Sequence, residues 1–447
     1  MGSTPDEKGV LTMDGWPGGI NNRIRETEQS AMRDGLTIPS SQFLREALNV
    51  DLTAEGHPLR RKGATNLETG FSHSLWVSEK LGVFCIVKEG VLYFSPEADT
   101  SLAYDSIAVN RFLTVSYADL NNSIYWSNGS DMGEFHLPTR TIRNWGIPVG
   151  PQPLNAGVAS HDTTGKICAS ELQRLVAITY VDQYGIEGGA SELTIVGADA
   201  TEVVIPGPFP PNVIEAKAYV ADTNSETLYY IGSVFGAGSV AIPPDCSAAG
   251  IGAVLKNASL KPPLPGQLVA HYRGRILIAR NQTVYFSEPL NPHLTQPSRG
   301  IFLFPEYVTL LEPAENGVYV GHKQGVVFLE FDNPYEVRQR PVSNYAPVEN
   351  TAARMPGQRL GQAVDELPVW WSADGVLMVG LPGGQLTELT RDRLAVPSYA
   401  AGAVSLRERE GMVHIVSSLR SSDGVNNMSA TDTVVATVRT NNIVLNQ

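Results

Sequence analysis

The stretch Val83-Phe84-Cys85-Ile86-Val87, Lys88-Glu89-Gly90, Val91-Leu92-Tyr93-Phe94-Ser95 decides the fold class. Two short apolar runs flank a polar turn that ends in glycine, which is the pattern of a β-hairpin. The second run closes on aromatic residues and a serine, and that ending recurs. Phe112 to Tyr117, a turn over Ala118 to Asn122, and Ser123-Ile124-Tyr125-Trp126-Ser127 make a second copy. Arg275-Ile276-Leu277-Ile278-Ala279, Arg280-Asn281-Gln282 and Thr283-Val284-Tyr285-Phe286-Ser287 make a third.

Outward from these, weaker copies continue. Gly317 to Gly321 pairs with Gly325 to Leu329, and Val369-Trp370-Trp371-Ser372 turns through Ala373-Asp374-Gly375 into Val376 to Val379. Ala403 to Leu406 and Met412 to Val416 flank a polar turn over Arg407 to Gly411. Amphipathic helical periodicity is almost absent. Ser95 and Ser127 lie 32 residues apart, and Ser287 and Leu329 lie 42 apart. Hairpins repeating at this period are the signature of propeller blades, small sheets that cannot bury both faces alone. The expected fold is an all-β propeller of about six blades, with an ordinary sandwich or barrel as the alternative.

The repeat is interrupted between Ser127 and Arg275. Residues 151–263 are bounded by Pro148, Pro151 and Pro153 on one side and Pro262, Pro263 and Pro265 on the other. Inside lie Leu175 to Val181, the turn Asp182-Gln183-Tyr184-Gly185, Val203 to Ile205, Ala216 to Val220 and Tyr229 to Gly232. This segment resembles a fibronectin type III-like sandwich in strand order and in size. Residues 1–37, with Gly15-Trp16-Pro17-Gly18-Gly19-Ile20-Asn21-Asn22-Arg23, lack clear elements and read as an extended arm that orders against a neighbour. The expected organisation is an arm over 1–37, propeller over 38–150, insertion over 151–263, and propeller again over 264–447.

The formal charge is −13, from 33 Lys and Arg against 46 Asp and Glu. Such a balance argues against wrapping a nucleic-acid backbone, which needs clustered cations to displace counterions. The acidity is uneven: residues 151–263 carry −6 and the remainder −7. No apolar run approaches the ~18 residues of a membrane helix, and the polar start Met1 to Lys8 carries no secretory signal. Cys85, Cys168 and Cys246 are too few and too scattered for a disulfide framework, and read as reduced, buried thiols.

Catalytic patterns are sparse. The eight histidines show no His-x-x-x-His spacing, and Gly188-Gly189 and Gly383-Gly384 lack the Lys-Ser/Thr of a phosphate loop. Ser372-Ala373-Asp374-Gly375 faintly resembles the Asp box of sialidase propellers, but it lacks one spacer residue and occurs once, so a turn accounts for it. The pair Asp365-Glu366 reads as coincidence rather than as glycosidase carboxylates. Trp16, Trp76, Trp126, Trp145, Trp370 and Trp371 read as packing residues, with sugar stacking as the alternative. The expectation is no enzyme activity, no catalytic residues, no cofactor and no metal.

Gly18-Gly19-Ile20-Asn21, then Ala47-Leu48-Asn49-Val50-Asp51, then Gly56 with Arg60-Arg61-Lys62-Gly63, resemble the opening of propeller-type tail proteins of tailed bacteriophages, the nozzle or hub family. Val284-Tyr285-Phe286-Ser287-Glu288-Pro289-Leu290-Asn291-Pro292, Phe304-Pro305-Glu306 and Gly317-Val318-Tyr319-Val320-Gly321 extend that resemblance, which covers the arm and the propeller. It implies a structural virion protein made in the host cytoplasm. Such a subunit belongs to a homo-oligomeric, commonly hexameric ring that docks to the portal and adaptor and lines the conduit for genome ejection. DNA would then pass along a mildly negative lumen without specific binding. A head-completion plug and a glycan-binding or glycan-cleaving tail-tip propeller are the alternatives. Arg60, Arg61 and Lys62 form the candidate docking patch for an acidic partner, with DNA contact or a solvated strand end as the other readings.

Overall fold

The computed structural model describes residues 19–20, 43–44, 50–52, 58–60, 70–154, 173–197, 200–222, 225–243, 252–331, 336–392, 394, 399–409, 412–421, 431–439 and 442–446. Among them the chain is almost wholly β, the helical segments being short 3-10 turns such as Thr100–Leu102 and Gly357–Leu360. Two compact units divide it: one over Gly70–Leu303, the other over Phe304–Gln447 together with Met1–Thr69.

In the first unit, sheet one runs in chain order through Ser72–Ser78, Val83–Lys88, Val91–Ser95 and Asp105–Ala108. Sheet two runs through Ser116–Leu120, Ser123–Ser127, Met132–His136 and Thr141–Arg143. Sheet three runs through Leu268–Tyr272, Arg275–Arg280, Thr283–Glu288 and Asn291–Thr295, with Ile301–Leu303 also paired to its third strand. Every pairing is antiparallel and, apart from that of Ile301–Leu303, between consecutive strands, the meander of a propeller blade. The hairpin that opened the sequence reading closes on Lys88 opposite Val91, with Glu89 and Gly90 at φ 48° and 80°. Two positive φ values give the turn whose twist matches the strands.

The second hairpin departs from its expected limits. Its first strand is Ser116–Leu120, and the turn is Asn121-Asn122 rather than Ala118 to Asn122. The reason is local: Asn121 adopts φ 57°, which asparagine tolerates, so the turn tightens to two residues. Ala118 and Leu120 thereby gain ladder positions, with their side chains buried against sheet three.

The blades pack face to face in sequence. Phe94 stacks on Phe135 with centroids 4.5 Å apart, in a cluster that joins sheets one and two. Tyr125, Val269, Ile276 and Ile278 join sheets two and three, which are adjacent although the insertion separates them in the chain. Polar stitches lie along these seams. Ser78 donates to Asp119 at 2.8 Å, Ser127 Oγ donates to the Gly266 carbonyl at 2.7 Å, and Trp145 Nε1 donates to the Pro292 carbonyl at 2.7 Å. The recurrent strand-end serines Ser95, Ser127, Ser287 and Ser372 are all buried, and each is hydrogen-bonded. A buried hydroxyl without a partner costs about 1–3 kcal/mol, so these positions demand a small side chain that both donates and accepts.

The second unit repeats the plan. Sheet four comprises Val308–Ala314, Gly317–His322, Gly325–Glu330 and Arg338–Ser343. Sheet five comprises Ala353–Pro356, Glu366–Trp371, Leu377–Leu381 and Gln385–Glu388. Sheet six comprises Tyr399–Arg409, Met412–Ser421, Thr431–Arg439 and Asn442–Asn446. Adjacent Trp370 and Trp371 point to opposite faces of sheet five, one into the cluster with sheet four and the other into the cluster with sheet six. Tyr319 OH donates to the Gln385 carbonyl at 2.7 Å, stitching sheets four and five. The six sheets are of propeller-blade type, as the hairpin count implied.

The insertion is a sandwich. Gln173–Asp182 is the central strand of a five-stranded sheet with Glu187–Ala190, Thr194–Gly197, Val213–Ala221 and Leu228–Val234. Glu202–Ile205 and Gly238–Ala241 form the facing pair, and Val176, Ile178, Val203, Ile205, Ala218 and Val240 share the core between them. On the outer face, Glu187 accepts hydrogen bonds from Tyr219 OH at 2.6 Å, Thr179 Oγ1 at 2.7 Å and Lys217 Nζ at 2.9 Å. Burial alone would raise its carboxyl, but these hydrogen bonds outweigh burial and hold it below its ordinary value of 4.5. A carboxyl depressed on folding contributes stability above its unfolded pKa, and that contribution is lost as pH falls through the folded value. Glu187→Gln is therefore expected to lower the urea midpoint at pH 7 and to flatten its fall between pH 5 and pH 3. Equal acid slopes for the two proteins would show that Glu187 carries no such linkage.

Candidate functional site

Of the sequence-predicted patch, Arg60 ends the strand Pro58–Arg60, which pairs antiparallel with Val50–Leu52. Its side chain, and all of Arg61 and Lys62, lie outside the described residues. So do Trp16, Cys168 and Cys246. Cys85 is a buried free thiol between sheets one and two, and burial pushes its pKa up, as an inert packing residue requires. Ser372-Ala373-Asp374-Gly375 is a turn: Gly375 takes φ 79°, and Asp374 accepts from Ser372 Oγ and, at 2.8 Å, from Arg391. Among the described residues no cluster of three His, Cys, Asp or Glu side chains is placed to hold a metal, and no helix is long and apolar enough to cross a membrane.

The structure assembles a site elsewhere, in the first unit. A cavity of about 330 Å³ lies where the outer strands of sheets one and two meet the Asp182-Gln183-Tyr184-Gly185 turn of the sandwich, with His293 of sheet three in its wall. Register builds its centre: Tyr125 stands opposite Glu134, and Glu134 opposite Arg143, so the three form one cross-strand row on one face of sheet two. Gly133, opposite Trp126, has no Cβ, and one built there would meet the indole at 2.7 Å.

The polar groups are unequally occupied. Glu134 Oε1 accepts from Ser123 Oγ at 2.5 Å, while Oε2 stands 3.8 Å from His293 Nε2 with no hydrogen bond. Arg143 lays its guanidinium 3.7 Å from the Tyr184 ring centroid, and its buried Nε finds no acceptor. Trp126 Nε1 is buried and likewise without a partner. Asp105 and Asp182 are held by backbone N–H groups, those of Ser106 and Ile142 for the first and of Tyr184 and Ile186 for the second. Burial holds the His293 imidazole below its ordinary 6.5, against the pull of Glu134 and Asp182, so it is neutral at pH 7. Glu134, which is 3% exposed, is thus a buried carboxylate with one oxygen unused.

No family model and no curated relative matches the chain. Among solved structures it is similar to BBS1N in complex with ARL6DN, at 15% identity and TM-score 0.31, covering 77% of this chain and 89% of that one. It is also similar to the Neurospora crassa Pan2 WD40 domain, at 9% identity and TM-score 0.31, covering 77% and 86%. The dihydro-heme d1 dehydrogenase NirN matches at 9% identity and TM-score 0.31, covering 82% and 72%. Likenesses of this size say nothing about what the chain does.

Sequence reading missed this site because its members are scattered from Asp105 to His293 and carry no motif. The one available signal was Glu134 itself, an acid between Gly133 and Phe135 in a strand whose neighbours are apolar. A buried charge at such a position marks a partner or a site.

Proposed function

We propose that the chain is a structural virion protein of a tailed bacteriophage, a ring-forming tail nozzle or hub subunit. In this reading it lines the DNA-ejection conduit and docks to the neck or adaptor. The observation that supports it is the scaffold: blade-type sheets are joined seam by seam through buried aromatics and hydrogen-bonded serine, tyrosine and tryptophan side chains. Seams fixed in this way suit a wall that must hold its form while a charged polymer slides past. The sandwich, with its excess of acids, branches from that wall and would repel rather than retain a DNA backbone.

Docking is assigned to Arg60, Arg61 and Lys62, whose three cations suit an acidic surface on the adjoining ring. Reversing all three to glutamate is expected to abolish co-assembly with that ring in a reconstitution followed by electron microscopy, while the soluble protein keeps its unfolding midpoint. Normal assembly with altered DNA retention alone would assign the patch to DNA instead. Tracing this chain in a purified particle, at the lower end of the tail or inside the neck, tests the placement.

A further inference from the structure

The geometry points to the Glu134–Arg143–His293 cavity as a binding site for a neutral polyhydroxylated ligand, a single sugar ring or the end of a glycan. This goes beyond the wall-forming role and holds wherever in a virion the chain sits. The chemistry of the unused groups selects the ligand. Glu134 Oε2 is an acceptor, Arg143 Nε and Trp126 Nε1 are donors, and all three belong to residues lining one cavity. A hydroxyl donates to the first kind and accepts from the second, and the adjacent hydroxyls of a sugar do both at once with no charge.

Charge excludes the alternatives. Glu134, Asp105 and Asp182 face an anion with repulsion, offset by Arg143 alone. A cation would have to displace the Arg143 guanidinium from the Tyr184 ring or share the space with it. Asp105 engages both oxygens with backbone N–H groups and Asp182 accepts two on Oδ1, so Glu134 Oε2 is the fully buried carboxylate oxygen of the lining left without a hydrogen bond. The volume of about 330 Å³ lies at the lower end of the range for small-molecule sites and holds one hexose with bridging waters. Gln183, Tyr184 and Asn212 at the rim are exposed, so a ligand can enter from solvent.

The test uses the full chain and defined probes: glucose, galactose, mannose, and N-acetylglucosamine, each to about 0.1 M, with inorganic phosphate and ammonium as charged controls. Binding is read by saturation-transfer NMR and by tryptophan fluorescence. At least one sugar is expected to bind saturably, and Glu134→Gln to weaken it about 10-fold, the worth of one charge-assisted hydrogen bond. Should Glu134→Gln fail to fold, Tyr184→Ala, altered at an exposed rim position, is expected to weaken the same sugar by a similar factor. Saturable binding of phosphate or ammonium in place of every sugar overturns the proposal. So does the absence of any binding, which would make the cavity a site for ordered water only, or sugar binding that survives the substitutions unchanged.

Discussion

Trp371→Ala is expected to lower the free energy of unfolding by about 4 kcal/mol. The indole is fully buried in the cluster joining sheets five and six, among Leu367, Val369, Val413 and Ile415. Truncation removes the transfer energy of the ring and leaves a void that two antiparallel ladders cannot close on. Its Nε1 also donates to Ser417 Oγ at 2.7 Å, so the hydroxyl loses its donor when the ring goes. Trp370 supplies the control. It is equally buried, on the other face of the same strand, but its Nε1 has no hydrogen-bond partner. Trp370→Phe therefore sacrifices no hydrogen bond, whereas Trp371→Phe leaves Ser417 wanting one and should cost about 1 kcal/mol more. Denaturant unfolding of the three variants gives both numbers. Equal losses for the two phenylalanine variants would remove the stitch from the account of this seam.

That contrast also shows what the sequence could reveal. Val369-Trp370-Trp371-Ser372 is legible as a strand, and Ala373-Asp374-Gly375 as a turn, because a short apolar run bounded by a polar turn that ends in glycine is a local pattern. Six hairpins at a common spacing imply blade-type sheets for the same reason. Which indole nitrogen meets a partner is decided by Ser417, 46 residues away, and no local pattern carries it. Glu134 is similar. Its strand is readable, but the row it forms with Tyr125 and Arg143 depends on register across three strands, and His293 arrives from another sheet altogether. The second hairpin shows a smaller limit: the sequence reading places its first strand at Phe112 to Tyr117 and its turn at Ala118 to Asn122, whereas the turn length rests on Asn121 entering the left-handed region. The break in the repeat and the flanking prolines locate the insertion and its composition shows it acidic, while the hydrogen bonds that tie down Glu187 show that part of that charge serves the sandwich's own stability.

Gly150→Ala is expected to be the most damaging single-methyl change at the mounting of the sandwich, costing roughly 3 kcal/mol, the upper end of overpacking effects. Gly150 is buried where the chain passes from sheet two into the insertion, and its N–H donates to the Gly189 carbonyl at 3.3 Å. A Cβ there would sit 1.9 Å from the Ile178 carbonyl oxygen and 2.5 Å from its carbon. Those atoms belong to the central strand of the sandwich, hydrogen-bonded on both sides, so no rotamer change relieves the clash. Relief requires the entering segment to move off the strand. The returning segment is as tightly placed, since a Cβ on Gly189 would lie 2.1 Å from the Leu260 carbonyl. Entry and exit are thus clamped to one sheet, which fixes the insertion as a mounted element and not a tethered one. Gly185→Ala is the comparison: φ is +79° there, nothing lies within 4 Å of an added Cβ, and only the left-handed strain of about 1–2 kcal/mol applies. Unfolding midpoints and limited proteolysis near residues 150 and 260 should separate the two variants. If Gly150→Ala proved no worse than Gly185→Ala, with no new cleavage at the border, the clamp would be refuted and the sandwich would have to be treated as free to swing.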